Sequence, residues 1–154
     1  MAHEFTLTRR VEFADTDMAG IAHFTSLMRY MEETEHAFYR SLGFSVHEHR
    51  GEEIRGFPRL EASCRFFAPL WFEDQVRVQL LVKSKQVKTI EYVFNFRRVG
   101  DETHKVLARG GLTVVYASKN NITLKINAMV LPSDIASKID EAPDKLFDGE
   151  ASPA

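Results

Sequence analysis

Phe5, Leu7, Arg9, Val11 and Phe13 alternate with Thr6, Thr8, Arg10 and Glu12, a repeat of two that predicts a β-strand with one buried face. The repeat then changes. Phe24, Leu27, Met28, Met31, Phe38, Tyr39 and Leu42 recur at helical spacing, with Arg29, Glu32, Glu33, His36 and Arg40 opposite, and Gly43 ends the pattern. A helix from Phe24 to Leu42 would run about 28 Å. Glu35 is out of place in it, because on a helical wheel it falls within the apolar stripe. A carboxylate there must be paired, hydrogen-bonded or protonated.

The polar stretch Ser45 to Gly56 reads as a loop with at most a helical turn. Beyond it the repeat of two returns: Leu60 to Ala68, stopped by Pro69; Val76, Val78, Leu80 and Val82; Ile90, Tyr92, Phe94 and Phe96; and Lys105 to Ala117. Lys83 to Lys88 joins the middle two as a basic hairpin. Gly110 and Gly111 inside the last strand predict a bulge or a close backbone approach. A short helix is expected from Pro132 to Ile139. The domain is expected over residues 1–140, with a disordered tail over 141–154, rich in Pro, Asp, Glu and Ala.

The resulting class is α+β: one long helix against an antiparallel sheet of about five strands. Five strands span about 24 Å, whereas one helix covers about 10–12 Å. Apolar sheet surface and an edge are left over, and a second copy of the chain is the expected cover. A homo-oligomer, dimer or tetramer, follows.

The 154 residues suit one domain, and 20 Lys and Arg against 22 Asp and Glu give no global pull toward nucleic acid or an anionic membrane. Cys64 is the only cysteine, which fits a reducing compartment and leaves no thiolate set for structural zinc. No signal peptide or membrane-spanning run is evident, so a cytoplasmic location is expected, with no cofactor. Glu33 and His36 have the Glu-x-x-His spacing of di-iron helices but lack a second copy of the motif, and read as surface charge.

The strand-to-helix junction from Glu12 to Phe24 carries the chemistry. A helix start offers unpaired N–H groups and the positive end of a macrodipole. Asp17 beside it could attack an acyl carbon or activate water while those amides hold the oxyanion. The other reading is a capped turn in which Asp15, Thr16 and Asp17 serve the backbone and Gly20 relaxes it.

Phe13-Ala14-Asp15-Thr16-Asp17-Met18-Ala19-Gly20-Ile21, with the helix running on to Leu42-Gly43, resembles the hot-dog-fold acyl-CoA thioesterases of the 4-hydroxybenzoyl-CoA thioesterase type. The resemblance implies a hot-dog fold, an acyl-CoA substrate, and active sites between subunits. It implies Asp17 as the catalytic carboxylate and the Phe24 N–H as the oxyanion donor, with Gly20 beside them at the substrate. It also implies that the hairpin lysines Lys83, Lys85 and Lys88 meet the phosphates of coenzyme A, Arg97, Arg98 and Arg109 being weaker candidates. Relatives place an aromatic residue or a histidine at the helix start, so His23 is a candidate for orienting substrate or the leaving sulfur. Some use an acid on the helix, which makes Glu35 a rival or helper of Asp17; its other reading is a buried carboxylate satisfied by arginine.

A thioester carbonyl is electrophilic and thiolate leaves readily, so a carboxylate suffices, either as nucleophile through a mixed anhydride or as general base. Hydratases and dehydratases share this fold but usually pair Asp with His at another spacing. The rival from a different class is a non-catalytic acyl-thioester binding or assembly module. Phe57, Phe66, Phe67, Trp71 and Phe72 are candidates for lining an acyl pocket, or for filling the core.

Overall fold

A computed structural model of the chain describes residues 1–147. Strand β1 (Glu4–Arg10) leads through a single 3₁₀ turn at Phe13–Asp15 to helix α1 (Phe24–Ser41). A hairpin of β2 (His47–Arg50) and β3 (Glu53–Gly56) precedes β4 (Arg59–Phe66), β5 (Gln75–Lys85), β6 (Thr89–Arg98) and β7 (Ala108–Val115). Two short strands, β8 (Ala117–Asn120) and β9 (Ile126–Ala128), and a one-turn helix α2 (Ser133–Ala136) complete it. The main sheet has the antiparallel order β1-β5-β6-β7-β4, and a smaller sheet has the order β2-β3-β8-β9. This is the predicted α+β architecture.

Alternation explains the core. Val76, Val78, Leu80 and Val82 of β5 and Ile90, Tyr92, Phe94 and Phe96 of β6 turn inward and are buried. They meet Leu27, Tyr30, Met31, Phe38 and Tyr39 on one face of α1. Gly110 lets the helix come close, since a Cβ there would sit 2.0 Å from Met31 Sδ. Of the two predicted roles for the glycine pair, close approach is the one Gly110 serves. Gly110→Ala should therefore cost about 1–3 kcal/mol by overpacking, measurable as a lower urea midpoint with an unchanged slope.

Three expectations need correction. His47 to Gly56 is a hairpin and not a loop; its β2 is exposed on both faces, so no alternating apolar signal marks it, and pairing of β3 with β8 holds it. Residues 141–147 are placed and not a disordered tail: the Ala142 N–H donates to Val82 O at 2.7 Å, the Lys85 N–H to the Glu141 carboxylate at 2.8 Å, and Ala142 is buried. The rest of that expected tail, 148–154, lies outside the described residues. The outward face of the main sheet is also not apolar, since it carries Arg77, Gln79, Asn95, Arg97 and Arg109. Exposed apolar groups gather instead around the strand-to-helix junction and β4: Phe13, Met18, Phe24, Leu60, Phe66, Trp71 and Phe72. The free edge of β4 has no strand partner among the described residues.

Candidate active site

The junction folds into a tight hairpin-like turn. Thr16 and Ala22 bridge antiparallel, the Asp17 N–H donates to Ile21 O at 2.9 Å, and the Gly20 N–H donates to Asp17 O at 3.1 Å. Gly20 takes a φ of +78°, a conformation that costs glycine nothing. The turn exposes Asp17. One of its carboxylate oxygens accepts the Ala19 N–H at 2.8 Å, and the other has no partner among the described residues.

Asp15, two residues earlier, points the other way and is 4% exposed. Its carboxylate accepts from Arg9 at 3.0 Å, the Glu12 N–H at 2.9 Å and the Tyr30 hydroxyl at 2.8 Å, and it is also bonded to Arg29. Burial pushes its carboxyl up, but the bonds from Glu12 N–H and Tyr30 and the charges of Arg9 and Arg29 outweigh it and hold the group below the ordinary aspartate range.

His23 caps α1. Its Nδ1 accepts the Thr25 N–H at 3.2 Å and lies 2.7 Å from Thr25 Oγ1, while its carbonyl accepts the Ser26 N–H at 2.8 Å. Phe24 N–H, the first helical donor, is left without an intramolecular acceptor among the described residues. The Phe24 ring lies beside the imidazole, with centroids 4.5 Å apart.

A cleft of about 440 Å³ opens at this junction, lined by Asp17, Ile21, Ala22, Phe24 and Leu27 on one side and Phe66, Phe67, Ala68, Pro69 and Leu70 on the other. Asp17 is the only ionisable group among these residues. The second wall is stitched to the turn: the Ala22 N–H donates to Leu70 O at 2.7 Å, and Ile21 bridges Trp71. Asp74 accepts the Trp71 N–H at 2.8 Å and Arg98 Nε at 2.9 Å, and Arg98 also donates to Pro69 O at 3.1 Å. Asp74 and Arg98 thus shape the wall. The sequence marks Phe66 and Phe67 of this wall as pocket candidates but gives no sign that Asp74 and Arg98 brace it.

The structure brings Asp17, Gly20 and Phe24 together at the junction and sets the other candidates apart. His23 spends Nδ1 on the cap and is not among the residues lining the cleft. Glu35 is fully buried about three helical turns from Phe24, where Arg59 grips both its oxygens at 3.0 and 2.5 Å. That makes it the arginine-satisfied carboxylate. The Lys85 ammonium is bound by Ala136 O and Ile139 O at 2.8 and 2.6 Å, so it anchors the C-terminal segment and is not a free phosphate ligand. Lys83 pairs with Glu91 at 2.7 Å. Lys88 is exposed, but the whole hairpin sits at the far end of β5 from the Asp17 turn, because Arg10 is in register with Gln75 and Glu4 with Leu81. Within one chain these lysines do not share the cleft. Among the described residues no group of His, Cys, Asp and Glu is arranged to hold a metal, and no helix is long and apolar enough to cross a membrane.

Comparison with known proteins gives a consistent picture. Residues 11–146 match the family model described as Thioesterase-like superfamily. A 1,4-dihydroxy-2-naphthoyl-CoA hydrolase of Thermosynechococcus vestitus is 26% identical over 145 residues, covering 92% of each chain. Among solved structures, a gentisyl-coenzyme A thioesterase superposes with a TM-score of 0.69 at 28% identity, covering 85% of this chain and 98% of its own. The 4-hydroxybenzoyl-CoA thioesterase from Pseudomonas sp. strain CBS-3 superposes with a TM-score of 0.73 over 88% of this chain and 99% of its own; at 18% identity it speaks for the fold alone.

Proposed function

The chain belongs to the thioesterase-like superfamily, and we propose that it hydrolyses aromatic acyl-CoA thioesters, with Asp17 as nucleophile or general base and the Phe24 N–H as oxyanion donor. One observation carries this reading: the exposed Asp17 and Phe24, whose helix-start N–H has no acceptor among the described residues, line one apolar cleft. An aryl group enters against Phe24, Phe66 and Phe67, which stack or meet it edge-on. The reacting carbonyl then lies between Asp17 and the helix start. As the tetrahedral oxyanion forms, the Phe24 N–H and the helix dipole stabilise it, a fixed donor of this kind being worth about 3 kcal/mol. Coenzyme A leaves as a thiolate.

The aromatic preference draws on the rings in the cleft and on the substrates named for the naphthoyl-CoA and gentisyl-CoA relatives. A homo-oligomer belongs to the same reading. Phe13, Met18, Trp71 and Phe72 are exposed around the junction, as is Leu60 on β4, whose outer edge has no strand partner among the described residues, an apolar surface that a second copy would cover.

Thiol release from benzoyl-, phenylacetyl-, short-chain and long-chain acyl-CoA tests the proposal. Turnover is expected to be fastest with the aromatic esters. Calorimetric binding of these esters with no thiol release from any of them would identify a non-catalytic acyl-thioester module instead.

A further inference from the structure

We propose that Asp15 is the positioning residue of this site, fixing the Asp17 carboxylate relative to the Phe24 N–H. The inference rests on the hydrolase reading above. Of the two aspartates in Asp-Thr-Asp, one turns inward to hold and the other outward to react.

The hold has two halves. Through its carboxylate, Asp15 gathers Arg9 from β1, the Glu12 N–H from the turn, and Arg29 and Tyr30 from α1. Through its own main-chain carbonyl it accepts the His23 N–H at 2.8 Å and the Ser26 hydroxyl at 2.8 Å. His23 is the residue before Phe24, so the second half fixes the peptide next to the proposed oxyanion donor. Thr16, the single residue between the aspartates, is itself tied back to Phe13 O by its N–H at 3.1 Å and its hydroxyl at 2.7 Å. One buried residue therefore sets the position of both reacting groups.

The carboxylate is suited to this because it can only accept, and it meets four donors. Asparagine would turn an NH₂ group toward a hydrogen-bond donor. Arg9 is further steadied by its pairing with Glu33 and by lying 3.9 Å from the centre of the Tyr30 ring, so the load passes into both strand and helix. Glu35 is as deeply buried and also arginine-bound, yet its bonds reach nothing at the cleft. Burial of a carboxylate alone does not make a positioning residue; what it is bonded to does.

The test compares kcat and KM for thiol release from benzoyl-CoA and 4-hydroxybenzoyl-CoA, at a temperature where each protein is folded. Asp15→Asn should lose about 10²-fold in kcat with KM little changed, the scale expected when reacting groups shift by about 1 Å. Tyr30→Phe and Arg29→Gln, each removing one donor and little else, should show smaller kcat losses, and they carry the test if Asp15→Asn does not fold. Tyr92→Phe, which breaks the buried Tyr39–Tyr92 hydroxyl pair at 2.9 Å away from the cleft, should lower the melting temperature and leave kcat unchanged. Parent kcat in Asp15→Asn, or in both donor variants, would overturn the inference. Asp17→Asn is measured alongside: if it is inactive while the Asp15 series is unaffected, only the positioning role falls; if it turns over normally, the catalytic role of Asp17 falls and takes this inference with it.

Discussion

Arg59→Leu is expected to destabilise the fold by about 3–5 kcal/mol, because it leaves the Glu35 carboxylate buried without its partner. Glu35 has no exposed surface, and both its oxygens are held by the one guanidinium. Burial pushes the Glu35 carboxyl above its ordinary range, with the charge and hydrogen bonds of Arg59 pulling against that rise. Removing Arg59 lets burial act unopposed. A carboxyl raised in the folded state binds its proton more readily there than in the unfolded chain, so its stabilising effect is full at low pH and is lost as pH rises through the folded value. The deficit of Arg59→Leu should accordingly shrink in acid and reach its full size at neutral pH. The double variant Arg59→Leu, Glu35→Leu should recover most of it, since an apolar pair of similar volume pays no desolvation. Urea titrations at neutral and acid pH check both points, and a pH-independent deficit would mean that Glu35 is not the group left stranded.

Asp17→Asn should lower thioester hydrolysis by about 10²–10⁴-fold, the range for removing a positioned acid–base group. The expectation follows from the exposed carboxylate at the mouth of the cleft, where no other ionisable side chain stands ready to replace it. Structure should survive the change. The amide oxygen of asparagine can still accept the Ala19 N–H, and the turn's main-chain bonds do not use the side chain. A melting temperature near that of the parent, with kcat collapsed, separates loss of chemistry from loss of fold.

The long helix and the central strands are legible because their apolar residues recur at 3.6 and 2.0 positions and one face of each is buried, as with Val76 to Val82 against Tyr30 and Phe38. The Asp17 turn is legible because a strand repeat gives way to a helix repeat across a short polar segment containing Gly20. What escapes is anything decided by a partner far along the chain. Nothing near Glu35 reveals that Arg59, 24 residues later, will meet it. Spacing alone does not show that the Lys85 ammonium finds two carbonyls of the C-terminal segment, 51 and 54 residues away. The β2–β3 hairpin escapes for a different reason: both faces of β2 meet solvent, so its pairing leaves no hydrophobic repeat. Asp15 reads as a turn residue, and so it is; its burial depends on Arg9, Arg29 and Tyr30 arriving from other elements.

The claim that Asp17 does the chemistry in this cleft is tested most directly by mixing Asp17→Asn protein with 4-hydroxybenzoyl-CoA and following intact thioester and free thiol together by mass spectrometry. The account predicts that the variant binds the ester and keeps it intact while the parent releases coenzyme A. Release of thiol by the variant at the parent rate would contradict it.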